Sequence, residues 1–312
     1  PVLGALEYFG HDGQVMTLAM VQAHVSNQGD GWTFTLDYLE RYLEGLRTRM
    51  AHTPDAAGID DSHGGFLSQI ATLGQRTAEL HLALAHNTGH AAFDPEPMGA
   101  DDMAALLARG SDEVDETLAL LRAQVHRLPE AAQAMAHEVM ALQDVLRSRF
   151  AGEGPGHAGR IKTRFHGDYH LGQVLVCGHD FVIIDFEGEP ARSFAERRAK
   201  GTPLRDVAGM LRSFSYARWS ALRRMNADAQ YDPRLTEAAW QWEAAARQAF
   251  LNAYRATHGT HGTPEAGDDS LLGLLELEKA LYELRYELDN RIDWATVPLR
   301  GILDLLHPAR AG

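Results

Sequence analysis

The spacing of apolar residues changes along the chain, and this change limits the fold more than any other feature. Most of the 312 residues carry apolar side chains at helical spacing. Near the start and over residues 160–187 the apolar residues instead form short runs typical of strands. The pattern predicts an α+β protein that is mostly helical, with a short β-hairpin at the front and a strand–loop–strand unit near the middle.

The hairpin is predicted from residues 2–9 and 15–25, which are apolar and flank the turn signal G-H-D-G at residues 10–13. Helical spacing begins at residue 33 and returns after a Gly-, Asp- and His-rich loop at residues 51–65.

Residues 101–150 predict two or more helices with a break at Leu128 and Pro129. From residue 203 onward the pattern is helical again, except for a Gly- and Thr-rich loop at residues 258–267. Strands are therefore expected only in the two regions named above.

Composition excludes several classes of protein. The net charge of −14 disfavours a surface that binds phosphate backbones or anionic lipid. The single cysteine, Cys177, allows no intramolecular disulfide and suits a reducing compartment. No apolar run approaches the roughly 18 residues that cross a bilayer. We therefore expect a cytoplasmic protein with neither nucleic acid nor membrane among its partners.

The chemistry is concentrated in the segment R-F-H-G-D-Y-H-L-G-Q at residues 164–173 and in the strands that follow it. Asp185 ends an apolar strand, so we expect it to be buried. A buried carboxylate is costly unless a cation or strong donors meet it, and Mg²⁺ is commonly held by one or two carboxylates plus substrate phosphates.

Asp168 lies in the loop before the neighbouring strand, so the intervening hairpin brings it toward Asp185. Gln173 adds an amide oxygen, and Glu187 is a weaker further candidate. In kinases such a pattern supplies a base for the attacking hydroxyl and ligands for the metal that bridges the phosphates. The segment predicts Asp168 as catalytic base, Gln173, Asp185 and Glu187 as metal ligands, and ATP and Mg²⁺ as cofactors.

Two other interpretations of this segment stay open. His166, Asp168 and His170 alternate as the ligands of a metallohydrolase do, although Gly167 and Gly172 favour a loop over a continuous strand. The histidines are also compatible with purely structural hydrogen bonding.

Several blocks together resemble the maltokinase family, which is similar to aminoglycoside phosphotransferases and has a protein-kinase-like fold. These blocks are H-G-D-Y-H-L-G-Q at 166–173, I-D-F-E-G-E-P-A-R at 184–192, P-L-R-D-V-A-G-M-L-R-S-F at 203–214 and Y-E-L-R-Y-E-L at 282–288. The resemblance implies ATP-dependent phosphorylation of maltose to maltose 1-phosphate for α-glucan synthesis. It also implies a fused or associated trehalose synthase as a partner.

The same resemblance implies a division of the chain. Residues 1–25 would be the end of an N-terminal lobe and the hinge, and residues 26–312 a helical C-terminal lobe with its catalytic strand–loop–strand at 160–187. Asp206 would anchor the catalytic loop. The hinge backbone would bind adenine through Gln22, Ala23, His24 and Val25.

The family pattern also has a nucleotide-covering loop and a lysine that no part of this sequence matches. Either they are removed by truncation or they lie upstream in a fusion, and we expect these residues alone to bind ATP weakly. The open alternatives are a kinase for another small hydroxylated substrate and a non-catalytic kinase-like module of a trehalose synthase fusion.

A sugar-binding face is expected on the helix at residues 271–290. Its leucines form one apolar stripe, and a set of polar and aromatic residues lies on the opposite side. With the resemblance, substrate binding is predicted for His170, Lys279, Tyr282, Glu283 and Tyr286. The alternative is a solvent-exposed helix with Lys/Glu pairs.

Overall fold

The changes in hydrophobic period mark the boundaries of the elements. The computed structural model describes residues 2–11, 13, 15–52, 63–156, 159–190, 192–225, 232–259 and 268–307. The strands are β1 (Val2–Phe9), β2 (Val15–Gln22), β3 (Glu96–Pro97), β4 (Ile161–Lys162), β5 (Val174–Cys177) and β6 (Asp180–Ile183). The helices are α1 (Gly31–His52), α2 (Gly64–Leu84), α3 (Ala100–Gln124), α4 (Glu130–Ala141), α5 (Gln143–Arg149), α6 (Phe194–Arg198), α7 (Leu204–Met225), α8 (Pro233–His258), α9 (Asp268–Asn290) and α10 (Thr296–Leu306).

This architecture is mostly helical α+β, as the sequence predicts. Most of the predicted loops at residues 51–65 and 258–267 lie outside the described residues. None of the helices in the described part is long and apolar enough to cross a membrane.

The front hairpin pairs β1 with β2 in antiparallel register, from Val2 opposite Gln22 to Phe9 opposite Val15. The amide of Gly13 donates to the carbonyl of Gly10 at 3.0 Å and closes the predicted turn. β2 ends at Gln22, three residues before the predicted end. Every residue of both strands is exposed.

The core lies among the helices. The leucine stripe of α9 is buried, as predicted, but the opposite side of α9 is only partly exposed: Tyr286 is exposed, whereas Lys279, Tyr282 and Glu283 are partly buried. The helix also carries buried and partly buried carboxylates that pair with arginines of α7 and α8. Glu276 meets Arg247 at 2.8 Å, and Glu283 meets Arg212 at 2.7 Å. The alternative of a solvated helix with Lys/Glu pairs is therefore wrong for α9.

The strand–loop–strand unit is shorter at its start than predicted. Over residues 160–165, β4 pairs with β3, which lies outside the two regions where strands are expected, and Thr163 forms a single bridge with Gly201. β5 and β6 form the predicted antiparallel pair, with Val174 opposite Ile183, and turn at Gly178, whose φ is +67°. Gly29 accepts from the amide of Val176 at 2.9 Å, so the residues after the front hairpin lie against β5.

Candidate active site

One face of α7 holds the loop that contains Asp168. Asp206, Gly209 and Ser213 follow each other at helical spacing and all meet this loop. Asp206 accepts from the amides of His166 at 2.7 Å and Gly167 at 2.9 Å. Ser213 Oγ accepts from the amide of Leu171 at 3.0 Å. The loop is therefore fixed by its backbone to a buried helix.

Gly209 lets this helix approach closely. A Cβ at residue 209 would lie 2.5 Å from the carbonyl oxygen of Tyr169, which no side chain tolerates without a shift of the backbone. The phenol of Tyr169 is buried and shares a hydrogen bond of 2.9 Å with the hydroxyl of Thr77 on α2. The loop is therefore clamped between α7 and α2.

A second layer of polar groups supports Asp206. Its Oδ2 accepts from His81 Nε2 at 3.0 Å, and His81 Nδ1 lies 2.9 Å from the hydroxyl of Tyr254. His81 and Asp206 are both essentially inaccessible to solvent. Buried carboxylates require such partners, and Asp206 has three donors for its two oxygens.

Both ring nitrogens of His166 are used by backbone groups. Nε2 donates to the carbonyl of Ile184 at 2.8 Å, and Nδ1 accepts from the amide of Asp168 at 3.3 Å. This buried ring connects the Asp168 loop to the end of β6. Over the residues that the structure describes, no group of three or more His, Cys, Asp or Glu side chains is placed to hold a metal ion. The contacts of His166 disfavour the metallohydrolase interpretation.

Asp185 is exposed, so the prediction that it is buried is wrong. β6 is one strand of a two-stranded sheet and is only partly covered, and the chain leaves it with Asp185 at a φ of +64°. Non-glycine residues rarely adopt this left-handed conformation, and such residues concentrate at functional sites. Gln173 Nε2 donates to Asp185 Oδ2 at 2.9 Å, so these two predicted ligands are neighbours.

The imidazole of His170 interacts electrostatically with both Asp168 and Asp185. Burial chiefly lowers the pKa of His170, and Lys279 and His166 lower it further, whereas Asp168 and Asp185 oppose this shift. Both carboxylates therefore influence the pKa of this imidazole. Its Nδ1 accepts from the amide of Gly172 at 3.0 Å, which orients the ring within the loop.

The carboxylate of Asp168 meets a lysine from α9. Lys279 Nζ lies 3.3 Å from Asp168 Oδ1 and 2.7 Å from Glu189 Oε1. Burial works to lower the pKa of Lys279, but Glu189 and Asp168 outweigh it and raise that pKa, so the ammonium is charged. Asp168 is thus held beside a permanent cation.

Glu189 completes this group of charges. Its side chain is 3% exposed, and Arg192 donates to it at 2.6 Å. Burial works to raise the pKa of Glu189, but Lys279 and Arg192 outweigh it and lower the pKa below its ordinary value. Sequence reasoning missed Glu189, although it lies two residues after Glu187. The carboxylate of Glu187 is exposed, and its backbone oxygen accepts from Arg197 at 3.5 Å.

The residues of the predicted sugar-binding face of α9 do not all lie in the same surroundings. Lys279 and Tyr282 lie together near Asp168, with the ammonium 4.6 Å from the ring centroid. Glu283 turns instead to the buried guanidinium of Arg212, and Tyr286 is 46% exposed on another side of the helix. Because α9 has neighbours on several sides, side chains one turn apart meet different surroundings.

A cavity of about 200 Å³ lies beside Asp168. Its walls come from the Asp168 loop, the segment at residues 188–202, and helices α3, α7 and α9. α9 contributes Lys279 and Tyr282, and α3 contributes residues that sequence reasoning did not single out. The predicted hinge residues Gln22, Ala23, His24 and Val25 lie at the end of β2 and in the segment after it, away from the lining of this cavity.

This arrangement offers a pocket for a small polar molecule with a carboxylate at its edge, and Gln173 and Asp185 form a separate hydrogen-bonded pair. A single water needs about 10–15 Å³ on a comparable measure, so the cavity has room for a molecule of many atoms.

Comparisons with known proteins point to sugar kinases. A glucosamine kinase of Streptacidiphilus jiangxiensis is 31% identical over 294 residues, which cover 94% of this chain and 58% of that protein. A glucosamine kinase of Mycolicibacterium smegmatis is 29% identical over 304 residues, covering 97% of this chain and 70% of that protein. No family model matches the chain.

Solved structures give the same result. A glucosamine kinase in complex with glucosamine, ADP and inorganic phosphate has a TM-score of 0.72 at 28% identity, covering 94% of this chain and 61% of that one. A glucosamine kinase in crystal form B has a TM-score of 0.74 at 28% identity, and the match covers 99% of this chain and 66% of that one.

These comparisons correct the expected partner. The relatives are kinases of an amino sugar, so the prediction of maltose is wrong, and the trehalose synthase expected with it loses its basis. The chain spans about three fifths of the length of the first relative that it matches. Over nearly all of its own length it is similar to glucosamine kinases in both sequence and fold.

Proposed function

We propose that these residues form the acceptor-binding and catalytic part of a kinase that transfers the γ-phosphoryl group of ATP to a hydroxyl of an amino sugar of the glucosamine class. The observation that carries this proposal is Asp168 beside Lys279 at the cavity, in a chain similar to glucosamine kinases. The nucleotide is inferred from the relative that was solved with ADP and phosphate.

In this reaction Asp168 accepts the proton of the acceptor hydroxyl. The hydroxyl oxygen forms a bond to the γ-phosphorus, and the bond from that phosphorus to the β–γ bridging oxygen breaks, so ADP leaves with the electron pair. A carboxylate suffices as base where it chiefly positions the hydroxyl. Lys279, 3.3 Å from Asp168 Oδ1, positions this carboxylate at the cavity.

Gln173 and Asp185 are inferred to hold Mg²⁺. Their adjacent amide and carboxylate are hard oxygen donors, and an exposed pair suits an ion that retains waters and phosphate oxygens as its other ligands. When bound, the ion would neutralise charge on the phosphates. Glu187, whose carboxylate is exposed nearby, is a weaker candidate ligand.

The remaining predictions extend this proposal. We infer a protein-kinase-like arrangement in which residues 1–25 are the end of an N-terminal lobe with the hinge, and residues 26–312 are the C-terminal lobe. The segment after β2 runs directly to the pairing of Gly29 with Val176 on β5, close to Gln173. This path supports a role in adenine binding for the backbone of Gln22, Ala23, His24 and Val25. Asp206 is inferred to anchor the catalytic loop.

The test is Asp168→Ala in the intact protein, assayed with ATP and glucosamine. Loss of the base is expected to lower kcat by about 10³-fold. The melting temperature should stay close to that of the wild type, because Asp168 is at the cavity edge and partly exposed.

Asp180→Ala is the matched control, since Asp180 pairs with Arg76 at the far end of β6 and does not line the cavity. It should retain full turnover. Phosphorylation by Asp168→Ala at the wild-type rate would contradict the proposal.

A further inference from the structure

Helix α3 presents one face to the cavity. Asp102, Leu106, Arg109 and Glu113 line it and recur three or four residues apart, so they lie on the same side of the helix. The sequence of this region indicates only packed helices, because it carries no motif. The face nevertheless contributes charged groups to the space beside Asp168.

The carboxylates of the cavity differ in how well their charge is balanced. Glu189 is bound by Lys279 and Arg192, and Glu278 is bound by Arg205 at 2.9 Å. Both are 3% exposed and have cations from other elements against them. Both carboxylates therefore have cations against them, although Glu278 Oε2 has no hydrogen-bond partner among the described residues.

Glu113 is less well balanced. Its cationic partner is Arg285, at 2.5 Å, and Arg285 also pairs with Glu116 on the outer side of α3. One guanidinium thus serves two carboxylates. The side chain of Glu113 is 14% exposed, whereas that of Glu116 is 62% exposed.

The direction of the pKa shift of Glu113 agrees with its incomplete pairing. Burial raises the pKa of Glu113 above its ordinary value, and the neighbouring carboxylates of Glu278 and Glu116 act in the same direction, against Arg285 and Arg192. Arg192 is itself bound to Glu189. A desolvated carboxylate whose charge is only partly compensated is stabilised by a further cation.

We propose that Glu113 accepts the ammonium group of the amino sugar and thereby discriminates it from the neutral sugar with a hydroxyl in that place. This inference rests on the proposed function, since it assigns the amino-group contact within the same acceptor cavity. Glu113 lines the same cavity as Asp168, so the amino-group contact belongs to the acceptor site. Charge pairing in a site shielded from solvent contributes more to affinity than the same pair at the surface.

The experiment measures the affinity of the intact protein for glucosamine and for glucose by calorimetry, together with turnover of each. Glu113→Gln preserves the shape and removes the charge. It is expected to weaken glucosamine binding by at least about tenfold, which corresponds to about 1.4 kcal/mol, and to leave glucose binding unchanged. The preference for the amino sugar should fall by the same factor.

Glu116→Gln is the matched control, because it removes a carboxylate from the same arginine on the outer side of the helix. Arg285 then serves Glu113 alone, so Glu116→Gln is expected to weaken glucosamine binding less than Glu113→Gln does and to leave glucose binding unchanged. Glu113→Asp, which keeps the charge, should retain part of the preference, and melting temperatures check that each variant folds.

The outcomes separate the two proposals. If the wild type phosphorylates glucosamine and Glu113→Gln keeps the wild-type preference, the role of Glu113 is wrong and the proposed function stands. If the wild type binds glucosamine through Glu113 but transfers no phosphoryl group, the proposed function fails and the recognition site stands. Absence of glucosamine binding in the wild type overturns both.

Discussion

The β1–β2 hairpin differs from the packed helices, here called the helical body, in which side chains are exposed to solvent. In the hairpin, large apolar residues such as Leu3 and Phe9 are 66% and 68% exposed. In the helical body, even charged side chains such as Arg212 and Arg218 are 2% exposed. Apolar side chains are thus exposed in one region and charged ones buried in the other, so the difference lies in what surrounds them.

This contrast shows where the stability of the chain resides. A two-stranded hairpin without a covered face is marginally stable in water. The helices bury enough apolar surface to place ion pairs in the interior, where each must be fully partnered. The candidate active site belongs to the helical body, because its loop is fixed to α7 and its cavity is walled by α3, α7 and α9.

The largest expected effect on stability comes from Asp206→Ala. The change would leave the amides of His166 and Gly167 and the ring of His81 without their acceptor. We expect a loss of about 3–5 kcal/mol in the free energy of unfolding, as for other broken buried pairs. Denaturant titration measures it.

Asp115→Ala is the matching substitution at the surface. Asp115 is 56% exposed, and the change removes its ion pair with Arg147. Its cost is expected to stay below about 1 kcal/mol. Equal costs for the two substitutions would remove the distinction between buried and surface charges on which the comparison depends.

A pair of leucines tests the contrast between hairpin and body directly. Leu39→Ala on α1 removes a side chain with no exposed surface and should cost about 3 kcal/mol through lost burial and a cavity. Leu6→Ala on β1, where the side chain is 61% exposed, should change the free energy of unfolding by about 0.5 kcal/mol or less. A large cost for Leu6→Ala would show that the hairpin is covered in solution.

The smallest expected effect is the acid dependence that Glu189 adds. Its pKa is lowered in the folded state, so the folded protein holds its proton less tightly than the unfolded chain does. The stabilisation is therefore complete above its ordinary pKa of 4.5 and is lost as the pH falls through the lower folded value.

Unfolding measured between pH 6 and pH 3 should show a shallower acid loss in Glu189→Gln than in the wild type. Glu44→Gln removes an exposed carboxylate, 54% accessible, that pairs with Arg47. It should leave the acid loss unchanged. An unaltered slope in Glu189→Gln would mean that this buried carboxylate does not contribute to the pH dependence.

Much of the fold is predictable from hydrophobic spacing. The front hairpin, the helices and the β5–β6 pair all occur where the spacing changes, because secondary structure depends largely on neighbours in sequence. The apolar run before Asp185 predicts a strand that is covered on both faces, and this prediction is wrong. β6 belongs to a two-stranded sheet that is only partly covered, so Asp185 at its end is exposed.

The candidate site is predictable only in part. The Asp168 loop, Gln173 and Asp185 carry a pattern in one short segment, and the structure places Gln173 beside Asp185. Glu189 and Glu113 carry no such pattern. Glu189 pairs with Lys279 of α9 as well as with the nearby Arg192, and Glu113 pairs with Arg285 of α9, so their surroundings depend on long-range packing.

The order of strands and helices and the chemical character of the Asp168 loop follow from the chain alone, because both arise among residues that are close in sequence. Long-range packing determines which side of α9 meets the cavity, that Glu283 turns to Arg212, and that α3 supplies Glu113. These outcomes depend on how the helices pack, because the same helical periodicity is compatible with several neighbours and only burial against particular partners selects one of them.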